Sequence, residues 1–155
     1  MKRARETQQD VRVEQRSVSH IDVPPIAQEP IGFPVGVCIR VGALRARGFQ
    51  DLPTWLAHDV HVLVTRNGRV SIRGGGVFAY GASEWANPYT VARHGLQPCL
   101  VMYEAHLRRK LRDAGCRARF LQLAQATELG CFCAGGAPCH RDVILRVLRE
   151  LSRAP

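Results

Sequence analysis

The chain has 155 residues, enough for one hydrophobic core and too few for two comfortable ones. Every apolar stretch is broken by a charge or a glycine before it reaches the roughly 20 residues that a membrane span needs, so no membrane partner is expected. The formal charge is +9, from 20 Arg and two Lys against 13 acidic residues. Such a field draws nucleotides or nucleic acid, although GC-rich coding produces the same arginine bias with no partner at all.

Residues 1–30 are polar and charge-balanced and end in Val23-Pro24-Pro25 and Glu29-Pro30. That composition buries too little to offset the entropy of ordering, and it reads as a flexible arm ahead of a single α/β domain over 31–155. The basic start, Met1 to Arg5, leads into polar residues and not into an apolar stretch, so a secretory signal is not expected. The six cysteines then read as thiols of a protein in the cytoplasm, the nucleus of a host or a virion, where disulfides are rare. Cys38, Cys99 and Cys116 lie in apolar or helix-end contexts and are expected to pack as small hydrophobes.

Val35 to Val41 is β-branched and predicts the first strand, with a loop from Gly42 to Pro53. His58 to Thr65 places Val60, Val62 and Val64 on one face. Val70 to Arg73 resumes after Asn67-Gly68, a pair that predicts a tight antiparallel hairpin. Gly74-Gly75-Gly76 could let backbone N–H groups approach a phosphate neutralised by Arg73, Arg69 and Arg93, or could be a plain turn. In Trp85-Ala86-Asn87-Pro88-Tyr89, the residue before proline is held extended, which leaves the Asn87 amide for a ligand or for a local turn. From Pro98 to Ala114, Leu100, Tyr103, Leu107 and Leu111 recur at helical spacing, and Gly115 is the expected stop. A shorter helix over 117–126, a buried strand at 128–132 and a last helix from His140 to Arg153 complete the order. These elements predict a small three-layer, Rossmann-like α/β domain with a mixed sheet.

The segment with the most chemistry is Cys131-Phe-Cys133-Ala-Gly135-Gly136-Ala-Pro-Cys139-His140-Arg141-Asp142, between the buried strand and the last helix. Ligands gather at the carboxyl ends of strands in α/β sheets, and a helix start stabilises negative charge there. Three readings fit. Cys131, Cys133, Cys139 and His140 could hold zinc, which takes thiolate and imidazole in a tetrahedron, although paired Cys-x-x-Cys knuckles are lacking. Alternatively Cys139 or Cys133 is a nucleophile, with His140 or His94 as its base. In the third reading the thiols simply pack. A zinc deaminase would need Pro-Cys-x-x-Cys, and a P-loop would need Gly-Lys-Ser/Thr; neither is present.

Leu129-Gly-Cys131-Phe-Cys133 with Pro138-Cys139-His140-Arg141-Asp142, preceded by Ala86-Asn87-Pro88-Tyr89, resembles the DUF4326 family, which is found in phages, giant viruses and some cellular genomes. The resemblance runs from about residue 60 to 150. Ala86 and Tyr89 stand where the family usually carries Gly and Phe, and Arg141 replaces a small residue. The resemblance implies a joint site of Asn87, Cys131, Cys133, Cys139, His140 and Asp142, and it implies no established reaction.

The resulting expectation is a nucleotide- or nucleic-acid-directed protein. Cys139, His140 and Asp142 are its candidate catalytic residues. Asn87, Tyr89, Gly75, Arg73, Gly135, Gly136 and Arg141 are its candidate ligand contacts. The alternative is a non-catalytic basic accessory or virion protein held by structural zinc or packed thiols.

Overall fold

The computed structural model describes residues 32–153, and the arm expected over 1–30 lies outside them. Strands β1 (Val35–Cys38), β2 (His61–Leu63) and β5 (Glu128–Cys131) form one parallel sheet in the order β1-β5-β2. Strands β3 (Gly68–Ser71) and β4 (Val77–Tyr80) form a separate antiparallel pair. Mixed helices and strands are therefore present, but parallel and antiparallel strands do not share one sheet as expected.

The Asn67-Gly68 hairpin does not form. A type I′ turn needs positive φ at both central residues, and neither Asn67 nor Gly68 has it. β2 instead lies beside β5, pairing Val62 with Leu129. The turn falls at the glycine triplet, where Gly74 and Gly75 take φ of 93° and 90°. Gly68 meets a different need: a Cβ there would sit 2.4 Å from the Tyr80 hydroxyl across the ribbon.

The stretch expected as a loop holds two short helices, α1 (Val41–Ala46) and α2 (Leu52–Leu56). Neither is long enough to show a periodic pattern. Asp51 caps α2 by accepting the Thr54 N–H at 3.1 Å. Helices α3 (Val91–His94) and α4 (Leu96–Lys110) meet at Gly95, whose φ is 79°. Gly115 does not end α4; it lies in the first turn of α5 (Ala114–Leu121), which Asp113 caps through the Cys116 N–H at 2.7 Å. α6 (His140–Arg153) runs as expected.

Alternation along β5 divides the core between two clusters. Leu129 and Cys131 join the cluster built by α4, α5 and α6. Gly130 meets Trp55 and Ile39 of the second cluster, under α1 and α2. The Trp55 indole N–H also donates to Glu128 at 2.7 Å, which fixes the ring on the strand. A Cβ at Gly130 would lie 2.6 Å from Trp55 and 2.7 Å from Ile39. Gly130→Ala is therefore expected to cost about 1–3 kcal/mol by overpacking, read as a lower urea midpoint at unchanged slope.

Candidate functional site

Cys131 is the last residue of β5 and Cys139 immediately precedes α6, so strand end and helix start face each other across the intervening loop. Cys139 does the work of a helix cap. Its sulfur accepts the Arg141 N–H at 3.4 Å, while Asp142 accepts the Cys139 N–H at 3.1 Å. This is the reciprocal logic of a capping box, with a thiol in place of the usual hydroxyl. It explains how neighbouring Cys139 and His140 bring their sulfur and Nδ1 to one place.

The Cys131 and Cys133 sulfurs are 3.4 Å apart, and His140 Nδ1 is 3.7 Å from both Cys131 and Cys139. All four donor atoms lie within 4.8 Å of one another. A tetrahedral zinc with bonds of about 2.0–2.3 Å separates its ligands by roughly 3.5–3.8 Å, so these residues could hold a metal ion with small adjustment. His140 Nε2 lies 2.7 Å from the Val64 carbonyl. A carbonyl only accepts, so Nε2 carries hydrogen and Nδ1 faces the sulfurs, the outer-shell arrangement usual for a metal-bound histidine. Tyr103 of α4 packs edge-on against the same ring, with centroids 5.5 Å apart, and donates its hydroxyl to the Trp85 carbonyl at 2.7 Å.

Electrostatics within the cluster are strongly coupled. Hydrogen bonds from Cys133 and Cys139 hold the Cys131 thiol far below its ordinary range, against the cost of burial. Its own hydrogen bonds to Cys131 and Cys133, and then burial, push Cys139 up. Burial lowers His140, but hydrogen bonds to Cys131 and Cys133, the charge on Cys131 and the Val64 carbonyl outweigh it and raise the imidazole to about 10. Three thiols and one imidazole thus share protons that a divalent cation would replace.

The cluster forms part of the wall of a cavity of about 370 Å³ at the carboxyl ends of all three parallel strands. Arg40 follows β1, Thr65 and Arg66 follow β2, and Phe132 follows β5. Asn87 and Tyr89 line the same cavity, so the distant Asn-Pro-Tyr segment does meet the thiols. The Asn87 amide is already committed: its oxygen accepts the Tyr89 N–H at 2.9 Å and its nitrogen donates to the Cys99 sulfur at 3.3 Å. Cys99, expected only to pack, is buried and also lines the cavity.

Other expected contacts lie elsewhere. Arg73 and Gly75 sit in the β3–β4 turn, away from the cavity lining, and the Arg73 N–H points to Asp51 at 3.4 Å. Gly135 and Gly136 are exposed on the loop before α6 and do not line the cavity. Arg141 is buried against β1, where a Cβ on Gly36 would meet its Nε at 2.3 Å, and it pairs with Asp142 at 3.1 Å. Asp142 is thereby occupied with the helix start and with Arg141, and it too is absent from the lining. Neither His94 nor the arginines 69 and 93 reach the lining.

Sequence reasoning missed Arg40, Thr65, Arg66, Tyr80 and Phe132. Three of these immediately follow parallel strands or lie one residue beyond, the one signal that could have found them. The Thr65 hydroxyl is unusual. It is buried and has no hydrogen-bond partner among the described residues.

An α/β protein with a Cys₃His donor set at the carboxyl edge of a parallel sheet is thus defined. Residues 50–150 match the family described as Domain of unknown function (DUF4326), and the chain belongs to that family. No curated protein and no solved structure matches it significantly. An unpaired buried hydroxyl costs about 1–3 kcal/mol. Thr65→Val, which keeps the shape and removes that hydroxyl, is therefore expected to raise the ligand-free thermal midpoint, and a lowered midpoint would show that the oxygen is satisfied in solution.

Proposed function

We propose that this chain is a zinc-centred protein that binds a nucleotide in the cavity beside the metal. The observation that carries the reading is that the four donor atoms, mutually within 4.8 Å, belong to residues that also line the cavity. Thiolate and imidazole together favour zinc over the hard cations that prefer oxygen. Four protein ligands complete a tetrahedron and leave no open position, which argues for a structural ion clamping β5 to α6 and against Cys139 as a nucleophile. The parallel sheet with a core cluster on each side supports a reduced three-layer, Rossmann-like arrangement. In such folds the ligand sits where this cavity lies.

A nucleotide is favoured over a nucleic-acid strand by scale, because about 370 Å³ is near the lower end of small-molecule sites. It is favoured over a neutral ligand by charge: among the described residues Arg40 and Arg66 line the cavity and no carboxylate does. Cysteines kept as metal ligands fit a protein working inside a cell or particle, where thiols stay reduced.

Metal analysis of the purified chain is expected to give one zinc per molecule. Chelation should lower the thermal midpoint by about 10 °C or more, since structural zinc contributes on the order of 10 kcal/mol to domains whose net stability is roughly 5–15. Cys139→Ser should abolish zinc while keeping a hydroxyl to cap α6. Because zinc displaces protons from His140 and the thiols, its apparent affinity should fall by roughly tenfold per pH unit for each proton displaced as pH drops. A nucleoside monophosphate should raise the midpoint of the zinc-loaded protein. A metal-free, chelator-insensitive protein would refute the zinc centre, and indifference to every nucleotide would refute the ligand assignment.

A further inference from the structure

Two groups of residues shape the cavity, and each is fixed by its own contacts. In the first, Arg40 Nε donates to the Phe132 carbonyl at 2.6 Å, and Phe132 stacks on Tyr80 with centroids 5.8 Å apart. The Tyr80 hydroxyl in turn lies over Gly68, whose missing side chain makes the space for it, one residue after Asn67 and two after Arg66. Burial, and then the charge on Cys131, push the Tyr80 phenol up, so it stays a neutral hydroxyl. In the second, Asn87, Tyr89 and Cys99 bind one another and carry the apolar side chains of Val91, Leu96 and Leu100 to the cavity.

The first group has the makings of an anion clamp. Arg40 is oriented by its Nε bond, and its two terminal nitrogens make no hydrogen bond among the described residues. Arg66 has no ion-pair partner among the described residues, and Glu84 and Glu104 are already paired, with Arg119 and with Arg108 and Arg146. A divalent ion among three thiolates and a neutral imidazole leaves one net negative charge, which two guanidiniums outweigh. The lining therefore offers two guanidiniums together with the apolar side chains of Val91, Leu96 and Leu100. Guanidinium forks match the oxygens of phosphate and carboxylate alike.

We propose that Arg40 and Arg66 together grip the single anionic group of a small planar ligand, with a nucleoside monophosphate as the favoured occupant and the ring lying against Tyr89, Leu96 and Leu100. This inference rests on the nucleotide reading above and sharpens it. It assigns the phosphate end to two residues outside the Cys/His cluster, and it predicts a ligand with one phosphate. An unpaired second or third phosphate would have to be accommodated in a cavity at the small end of the range.

The test uses the zinc-loaded, full-length protein with calorimetry against the four common nucleoside 5′-monophosphates, their parent nucleosides and triphosphates, and nicotinate as a planar carboxylate. Variants are Arg40→Gln, which keeps a donor for the Phe132 carbonyl, Arg66→Gln and the double change. Circular dichroism and zinc content establish that each remains folded and loaded. At least one monophosphate is expected to bind, its nucleoside at least tenfold more weakly. Each single variant should lose tenfold or more, with a shallower dependence on salt. Equal binding of nucleoside and monophosphate, or unchanged affinity in both arginine variants, overturns the clamp while leaving the nucleotide reading in place. Arginine-dependent binding of nicotinate with no monophosphate bound upholds the clamp and removes the nucleotide. Tighter binding of a triphosphate than of its monophosphate contradicts the single-anion assignment, and silence from every probe overturns both readings.

Discussion

Val64 is the joint on which the site depends. Its N–H donates to the Gly130 carbonyl on β5 at 3.1 Å, and its own carbonyl receives His140 Nε2 of α6 at 2.7 Å. One residue just past β2 therefore ties the central strand and the last helix together. Both of its polar groups are used, as a buried backbone requires. The hydrogen bond fixes which imidazole nitrogen faces the sulfurs, and so converts three nearby thiols into a four-donor set. Tyr103 closes the opposite constraint by packing its edge against the ring.

From that joint the cavity follows as a consequence of topology. In a sheet ordered β1-β5-β2, the central strand is the last to be added along the chain, and its carboxyl end is flanked by the ends of both earlier strands. Arg40, Thr65 and Phe132 are thus brought to one edge from positions far apart in sequence. The Asn-Pro-Tyr segment enters the same place because Asn87 and Tyr89 are bonded to Cys99 near the start of α4. Thiols, imidazole, arginines and aromatic rings share a wall without sharing a stretch of chain.

The Cys/His loop was legible in the sequence because its residues are local: a buried strand end, a short loop and an amphipathic helix can all be read within about 25 residues. That adjacent Cys139 and His140 turn their sulfur and Nδ1 to one place was not legible there, since it depends on the thiol capping α6. The Asn67-Gly68 hairpin failed because a turn signal says nothing about which strand a neighbour will choose. Val64, just past β2, is fully buried in the main core beside β5, and the glycine triplet was left to make the turn. α1 and α2 were missed because five or six residues show no period. Arg141 was expected as a ligand contact and Asp142 as a catalytic residue; the structure pairs them with each other and sets Asp142 on the helix start. Arg40 and Arg66 belong to no motif; only their place shortly after strands that turn out to be parallel reveals them.

The central claim is that Cys131, Cys133, Cys139 and His140 surround one zinc ion. X-ray absorption at the zinc edge of the purified protein reads that shell directly. The account predicts three sulfurs at about 2.3 Å and one nitrogen at about 2.0–2.1 Å. A shell dominated by oxygen or nitrogen, or a spectrum unchanged by Cys133→Ser and Cys139→Ser, would contradict it.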